Sequence, residues 1–221
     1  GTIYDRNYNI LAMSSSVSNV YISPAEIVRN DEDRELIADG LSEILGVDRE
    51  KILEKMNNTQ SWYATIKLKV DDETVEAVRA FKEENSLRGV KIEEATKRYY
   101  PYSSLASHVL GFDGVDDYGL AGLEYSFDST LSGIDGRVVR ATNAAGTDML
   151  FTDFEDYYDA QDGEDVVLTI DTTVQYYLQK QMQDAVDRYD VLNGAFGVVM
   201  NCKTGEIVAM CTLGSYDPND Y

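Results

Sequence analysis

The sequence predicts an α+β fold: mixed and antiparallel β structure, a small α/β subdomain inserted into it, and a helix with a β-hairpin at the C-terminal end. Three observations carry this reading. The hydrophobic period switches repeatedly between two and about 3.6 residues along the chain. Aspartates stand directly ahead of helical stripes, where a carboxylate satisfies free amides of the first turn. Between about residues 24 and 97 the order is compact, two helices, a strand, a helix and a strand following a leading strand, as in a unit inserted between pieces of another.

Residues 2–13 read as two short strands around a turn. Ile3 and Tyr4 are β-formers, Asn7-Tyr8-Asn9 is the turn, and Ile10 to Met13 resumes the apolar run. Val17 to Ser23 reads as another strand. Asp31 or Asp33 then caps a helix with Leu36, Ile37, Leu41, Ile44 and Leu45 as its stripe, and Gly46 ends it. A shorter helix carries Ile52, Leu53 and Met56. Trp62 to Val70 alternates apolar and polar residues as a strand does. Asp71 or Asp72 caps the next helix, with Val75, Val78, Ala80 and Phe81 on its apolar side, and Val90 to Tyr99 is a strand.

A Gly- and Asp-rich stretch follows from Gly111 to Gly122, then a helix over 123–132 and strands over Gly133 to Thr142 and Val166 to Ile170. Asp171 caps the longest helix, which runs to about Tyr189. Its stripe, Val174, Tyr177, Leu178, Met182, Ala185, Val186 and Tyr189, has helical spacing and reads as core. Ala195 to Met200 and Glu206 to Leu213 form a hairpin across Cys202-Lys203-Thr204-Gly205. Both strands are apolar nearly throughout. The hairpin is therefore expected to need cover on both faces, or else to self-associate or leave the chain after about residue 190 mobile.

Composition excludes several classes. The 221 residues, 43% of them hydrophobic, suffice for a packed core. Lys plus Arg number 19 against 40 Asp plus Glu, a formal net charge of -21. Such a surface repels phosphate, which argues against nucleic-acid binding and against an anionic lipid surface. Cys202 and Cys211 are too far apart along the hairpin to form a disulfide. One histidine and no Cys/His cluster leave no metal site, and no cofactor is expected. No apolar run reaches the length of a membrane helix, and no signal peptide is present. The opening Gly1-Thr2-Ile3-Tyr4 enters a strand at once, and reads as a piece that follows something removed.

The order of local motifs goes further. Gly1-x-Ile3-x-Asp5-Arg6-Asn7, followed by Leu11-Ala12, resembles the first motif of class B penicillin-binding proteins. Lys97-Arg98-x-Tyr100-Pro101, followed by Leu105-Ala106-Ser107-His108-x-Leu110-Gly111, resembles their second. Gly119-x-x-Gly122-Leu123-Glu124, followed by Asp128-x-x-Leu131-x-Gly133-x-x-Gly136, is similar to their third. Gly163-x-Asp165-x-x-Leu168-Thr169-Ile170-Asp171, with Gln175 on the helix, is similar to the start of their transpeptidase domain. Lys203-Thr204-Gly205-Glu206-Ile207-x-Ala209-Met210 and Tyr216-Asp217-Pro218-Asn219 resemble its first hairpin and the loop after it.

The resemblance covers essentially the whole chain and leans towards the division- and sporulation-type members. It departs from the family pattern at four places. Tyr8 stands at a usual turn glycine, so that a positive φ would fall to Asn7 or Asn9. Ser103 replaces another frequent glycine, Asn201-Cys202 replaces Asp-Pro, and Gly214 replaces a proline.

The resemblance implies a pedestal, or dimerisation-type, domain over 1–160 with the inserted subdomain at about 24–97, and an incomplete transpeptidase domain over 161–221. It implies a non-catalytic scaffold on the extracytoplasmic face of the bacterial membrane, anchored in the parent by a transmembrane helix absent here. Cell-wall synthesis proteins are the implied partners, a SEDS-family glycosyltransferase and division-complex membrane proteins among them, together with a possible homodimer. The family acylates a serine in Ser-x-x-Lys. No serine here has lysine three positions on, and Ser-x-Asn is absent. Lys203-Thr204-Gly205 is a hairpin turn, not the catalytic triplet.

The structural residues implied are Asp5, Arg6, Arg98, Tyr100, Pro101, His108, Gly111, Gly122, Glu124, Asp128, Gly133 and Gly136. His108 could act as a general base; a buried structural histidine is the better reading. Asp5, Arg6, Arg98 and Glu124 could do acid/base work. An ion-pair network that clamps the first strand, each arginine holding a carboxylate in bidentate fashion, is better supported. The Asp153–Asp165 cluster lacks calcium-loop spacing and reads as a solvated linker. Two rival functions stand beside the scaffold, a free-standing interaction adaptor and a small acid/base hydrolase.

Overall fold

A computed structural model of the chain describes residues 1–134, 136–140 and 155–220. The chain is mixed α/β and divides into two units, Ser15–Lys97 and the pair of segments Gly1–Ser14 and Arg98–Tyr221. Strand β1 is Ile3–Tyr4 and β2 is Ile10–Ile22. The sequence predicts a break between Met13 and Val17; the structure has none, and β2 runs on from the segment Gly1–Ser14 into the unit Ser15–Lys97. Three serines, Ser14 to Ser16, lie exposed along it without interrupting the extended backbone.

In the unit 15–97, Ser18, Val20 and Ile22 of β2 point inward with period two. β2 pairs antiparallel with β3 (Ala64–Val70), and bulges shift the register twice. Helix α1 (Pro24–Arg29) escapes the periodicity argument because six residues are too few to show a stripe. Its signature is local: Ser23 caps Glu26 N–H and Pro24 opens the helix. Helix α2 (Arg34–Leu45) is capped by Asp33 and stopped by Gly46 at φ +66°. Helix α3 (Arg49–Met56) follows Asp48, and α4 (Asp72–Glu84) follows Asp71.

Strand β4 (Val90–Tyr99) pairs with β2 and leads back to the other unit. The core of 15–97 holds Ile27, Ile37, Leu41, Leu45, Ile52, Met56, Val75, Val78 and Val90. Leu36 and Ala80, placed on the apolar stripes by sequence, are exposed. Each lies just outside the arc that its helix turns to the core.

The other unit has a separate core of Ile3, Leu11, Ala12, Tyr100, Ala106, Leu110 and Leu131. Here β1 pairs antiparallel with β2 and parallel with β7 (Val166–Val167). Short helices α5 (Ser107–Leu110), α6 (Gly122–Ser126) and α7 (Asp128–Leu131) follow β4. The single helix expected over 123–132 is broken at Phe127, and the Asp128 carboxylate beyond the break accepts from Gly119 N–H at 2.9 Å. Strands β5 (Arg137–Arg140) and β6 (Glu155–Tyr158) pair antiparallel. Residues 135 and 141–142 of the strand expected over 133–142, and Asp153 of the acidic cluster, lie outside the described residues.

Helix α8 (Thr172–Tyr189) starts at its Asp171 cap and leads to the hairpin of β8 (Phe196–Met200) and β9 (Ile207–Thr212). One expectation fails here. Along α8 the stripe is not core: Tyr177, Ala185 and Tyr189 are exposed, and Val174, Leu178, Met182 and Val186 are half-buried. The fully buried residue of the helix is polar, Gln175. The hairpin is covered on one face only. Ala209 and Cys211 of β9 are buried, whereas Phe196, Val198 and Met200 of β8 are open. The helix is narrow, and it covers the hairpin where Gly197 leaves room for Met182 and Leu178. Cys202 and Cys211 are free thiols.

Candidate functional site

The nominated residues gather in the unit formed by 1–14 and 98–221. Asp5 is its most connected charge. The carboxylate is fully buried. Its Oδ1 accepts from the amides of Asn7 (2.7 Å) and Asn9 (2.9 Å). Its Oδ2 accepts from Asn9 Nδ2 (2.8 Å), Thr172 Oγ1 (2.6 Å) and Thr172 N–H (3.2 Å). One side chain therefore ties the β1–β2 turn to the first turn of α8. Burial acts against its charge, but the bonds from Thr172, Asn9 and Asn7 prevail together and hold the carboxyl down at about 2.

The same turn is stitched further by Arg6 N–H to Ile170 O (2.9 Å) and by Asn7 Nδ2 to Asp171 Oδ2 (3.2 Å). Tyr8 itself, not Asn7 or Asn9, takes the positive φ of +63°. Asn7 and Asn9 are both committed to Asp5 or to Asp171, and the exposed Tyr8 ring lies 5.9 Å from that of Tyr4.

Arg98 and Glu124 form a buried ion pair, Nε to Oε1 at 2.8 Å. Nη1 of Arg98 donates to Gly1 O (2.6 Å) and to Ser14 Oγ (3.2 Å). The guanidinium thus ties the residue Gly1, ahead of β1, to β2 and α6. Its grip on the carboxylate is a single contact through Nε and not bidentate, and Nη2 is buried without a hydrogen-bond partner among the described residues. Arg6 reaches Glu206 by a single half-exposed contact of 3.4 Å, again not bidentate. Tyr100 is buried beside the pair, and its hydroxyl is pushed up by burial and then by the Glu124 charge, so it stays protonated.

Gly111 and Gly122 share one close approach. Both have positive φ, +79° and +61°, and a Cβ on Gly122 would fall 2.5 Å from Gly111 N. Gly133 lies against Gln161 O and Gly136 against Ala160 N, while Pro101 is exposed. His108 is not buried, as expected from sequence, but exposed; it sits on the outer side of a one-turn helix, its ring edge-on to Tyr216 at 5.3 Å.

Three amides perform work that pattern reading missed or left unexplained. Gln175 donates from Nε2 to Met210 O (2.9 Å) and accepts at Oε1 from Met210 N–H (2.8 Å). Asn219 does the same with Tyr100 O and N–H, both at 3.0 Å. Gln179 bonds Ser104 O (3.2 Å) and Ala106 N–H (3.4 Å). Each supplies the donor and acceptor of a missing strand neighbour. The local signal is an Asn or Gln, which carries no hint of so distant a partner.

This arrangement is built for holding. Every carboxylate in it is engaged by amides, hydroxyls or a guanidinium, and no serine or cysteine is hydrogen-bonded to His108 among the described residues. No group of three or more potential metal ligands occurs among the described residues. No helix among them is long and apolar enough to cross a membrane.

Comparison with known proteins gives a consistent set. The family described as penicillin-binding protein dimerisation domain matches residues 1–168. Stage V sporulation protein D of Bacillus subtilis is 33% identical over 223 residues, covering 100% of this chain and 33% of the relative. The probable peptidoglycan D,D-transpeptidase PenA of Neisseria gonorrhoeae is 30% identical over 219 residues, covering 99% of this chain and 36% of the relative. The penicillin-binding protein PBP2 of Helicobacter pylori, solved in complex with MreC, shares the fold. The TM-score is 0.71 at 20% identity, over 100% of this chain and 42% of that one. The chain spans about a third of the length of the curated relatives it matches.

Proposed function

The chain belongs to the penicillin-binding protein dimerisation-domain family, within the class B penicillin-binding proteins, and from that premise we propose that it acts as the non-catalytic pedestal of a peptidoglycan D,D-transpeptidase. The match over residues 1–168, in a sequence without Ser-x-x-Lys or Ser-x-Asn, carries the reading. In this reading residues 1–160 are the pedestal and 161–221 begin the transpeptidase domain. The parent protein is acylated on a serine outside this sequence. The buried polar network then has a mechanical role. Asp5 locks the first turn onto α8, Arg98 ties Gly1 and β2 to α6, and the three amides fix the C-terminal segment. A force or a displacement at either end is passed on through hydrogen bonds instead of loose packing.

The pedestal stands on the extracytoplasmic face of the membrane and presents its surface to cell-wall synthesis partners, a SEDS-family glycosyltransferase and division- or shape-complex membrane proteins. The fold shared with an MreC-bound protein supports the last of these. A fluorescent penicillin tests the core of the proposal. Residues 1–221 are expected to take up no label that survives denaturation, and the parent protein is expected to take it up. A stable labelled band on 1–221 would overturn the reading.

A further inference from the structure

In the strongly acidic chain the sign of the charge reverses at a cleft. In the unit 15–97 an open cleft of about 380 Å³ is lined by Arg29 and Asn30 at the end of α1, Lys82 of α4, Arg88 and Leu87 of the following loop, and Lys91 of β4, with Glu26 as its one carboxylate. Four of the 19 basic residues of a chain with net charge -21 thus converge on one concavity. Glu26 is taken by Lys91, Oε2 to Nζ at 2.6 Å. Among the described residues, Arg29, Lys82 and Arg88 have no carboxylate partner in a chain that carries 40 carboxylates. The frame is stiff: Leu87 is buried beneath it, and Glu32 accepts from the backbone amides of Arg88 (2.8 Å) and Gly89 (3.0 Å). Glu32 also accepts from Asn30 Nδ2 at 3.3 Å, and it forms no ion pair with Arg88 among the described residues.

Unpaired cations held around a concave wall focus a positive field and raise the local concentration of anions. Guanidinium forks match phosphate oxygens in pairs, and ammonium groups add point charges. With Lys91 neutralised by Glu26, three net positive charges remain, which suits a compact dianion better than a single carboxylate. We propose that this cleft binds a phosphate-bearing ligand, a phosphate monoester or diphosphate group, with Arg29, Lys82 and Arg88 as the contacting cations. The net charge of the chain opposes approach to an anionic bilayer. The source expected is therefore a soluble phosphate ester and not a lipid headgroup.

The test uses residues 1–221, with amide NMR shifts followed on titration of sodium pyrophosphate against sodium chloride at matched ionic strength. Saturable shifts confined to 26–30, 82 and 87–91 are expected. The double variant Lys82→Ser, Arg88→Ser, on exposed or half-exposed positions, is expected to weaken binding by about tenfold or more. Phosphatidylglycerol vesicles form the second arm. Their capture in a pyrophosphate-displaceable manner would assign the phosphate to a lipid, and no capture would assign it to a soluble ester. No saturable shift with either probe, equal shifts with chloride, or tighter binding of glutarate than of pyrophosphate would each overturn the proposal.

Discussion

Arg98 and Glu124 sit where a charge has little water to return to, so the cost of separating them is the cost of a stranded charge. Removing one partner of such a pair costs about 3 kcal/mol or more. Arg98→Ala and Glu124→Ala are each expected to lower stability by about that amount in urea unfolding. Arg98 is expected to cost more, since it also releases the Gly1 carbonyl and Ser14. The double replacement Arg98→Met, Glu124→Leu is expected to lose less than the sum, because no charge is left unpaired. Unchanged midpoints in both single variants would mean that the pair is open to water. Asp5 gives a pH dependence of defined sign. Its folded carboxyl titrates at about 2, below the ordinary 3.8, so its contribution is fully present above pH 3.8 and is lost as pH falls towards 2. The shift amounts to about 2 kcal/mol. Asp5→Asn is therefore expected to open a stability gap from the unmodified chain near neutral pH that closes towards pH 2. A gap independent of pH would assign the loss to geometry and not to charge.

The terminal hairpin is the element whose surroundings are least complete. Within β8, Phe196 is 81% exposed, Val198 49% and Met200 55%, and its outer backbone edge is not paired among the described residues. Open apolar edges pair with other copies. Residues 1–221 are expected to self-associate through β8, with light scattering giving a mass above the 24.7 kDa of one chain. Val198→Lys, which places a charge on that strand, is expected to restore the monomer. A monomeric unmodified chain with strongly protected amides at Val198 and Val208 would show instead that α8 covers the hairpin unaided. Gln175 has a part in that outcome: its two bonds to Met210 pin the helix to β9, whereas β8 has no equivalent anchor among the described residues.

At the scale of the molecule, two cores are built from different stretches of sequence. Ile37, Leu41, Ile52 and Val78 belong to one, and Ile3, Leu11, Tyr100 and Leu131 to the other. Cores that share no residue need not melt together. Calorimetry is expected to show unfolding that departs from a single two-state transition. Leu41→Ala, which empties about one side chain of fully buried core, is expected to remove about 3 kcal/mol from one step and leave the other in place. A single transition whose calorimetric and van't Hoff enthalpies agree, before and after the substitution, would contradict this.

The features legible in the sequence are local ones. The sequence named Asp171 as a cap and narrowed two others to Asp31 or Asp33 and Asp71 or Asp72, because a carboxylate two or three residues ahead of free amides needs nothing beyond its own neighbours; the structure selects Asp33 and Asp71. Gly46 ends α2 for the same reason, and the stripes of α2 to α4 mark a core without showing what packs on it. The charges of the motifs were readable as charges: Arg98 and Glu124 were nameable, but only the fold sets them 2.8 Å apart across 26 residues. The tertiary structure alone decided the rest. It gave positive φ to Tyr8 because Asn7 and Asn9 were already bonded to acids, left His108 outside, exposed one face of an all-apolar hairpin, and buried Gln175 in place of Tyr177. It placed Asn219 on Tyr100, 119 residues away. Such outcomes depend on which distant backbone groups lack a partner, and that is a property of the assembled chain, not of any window along it.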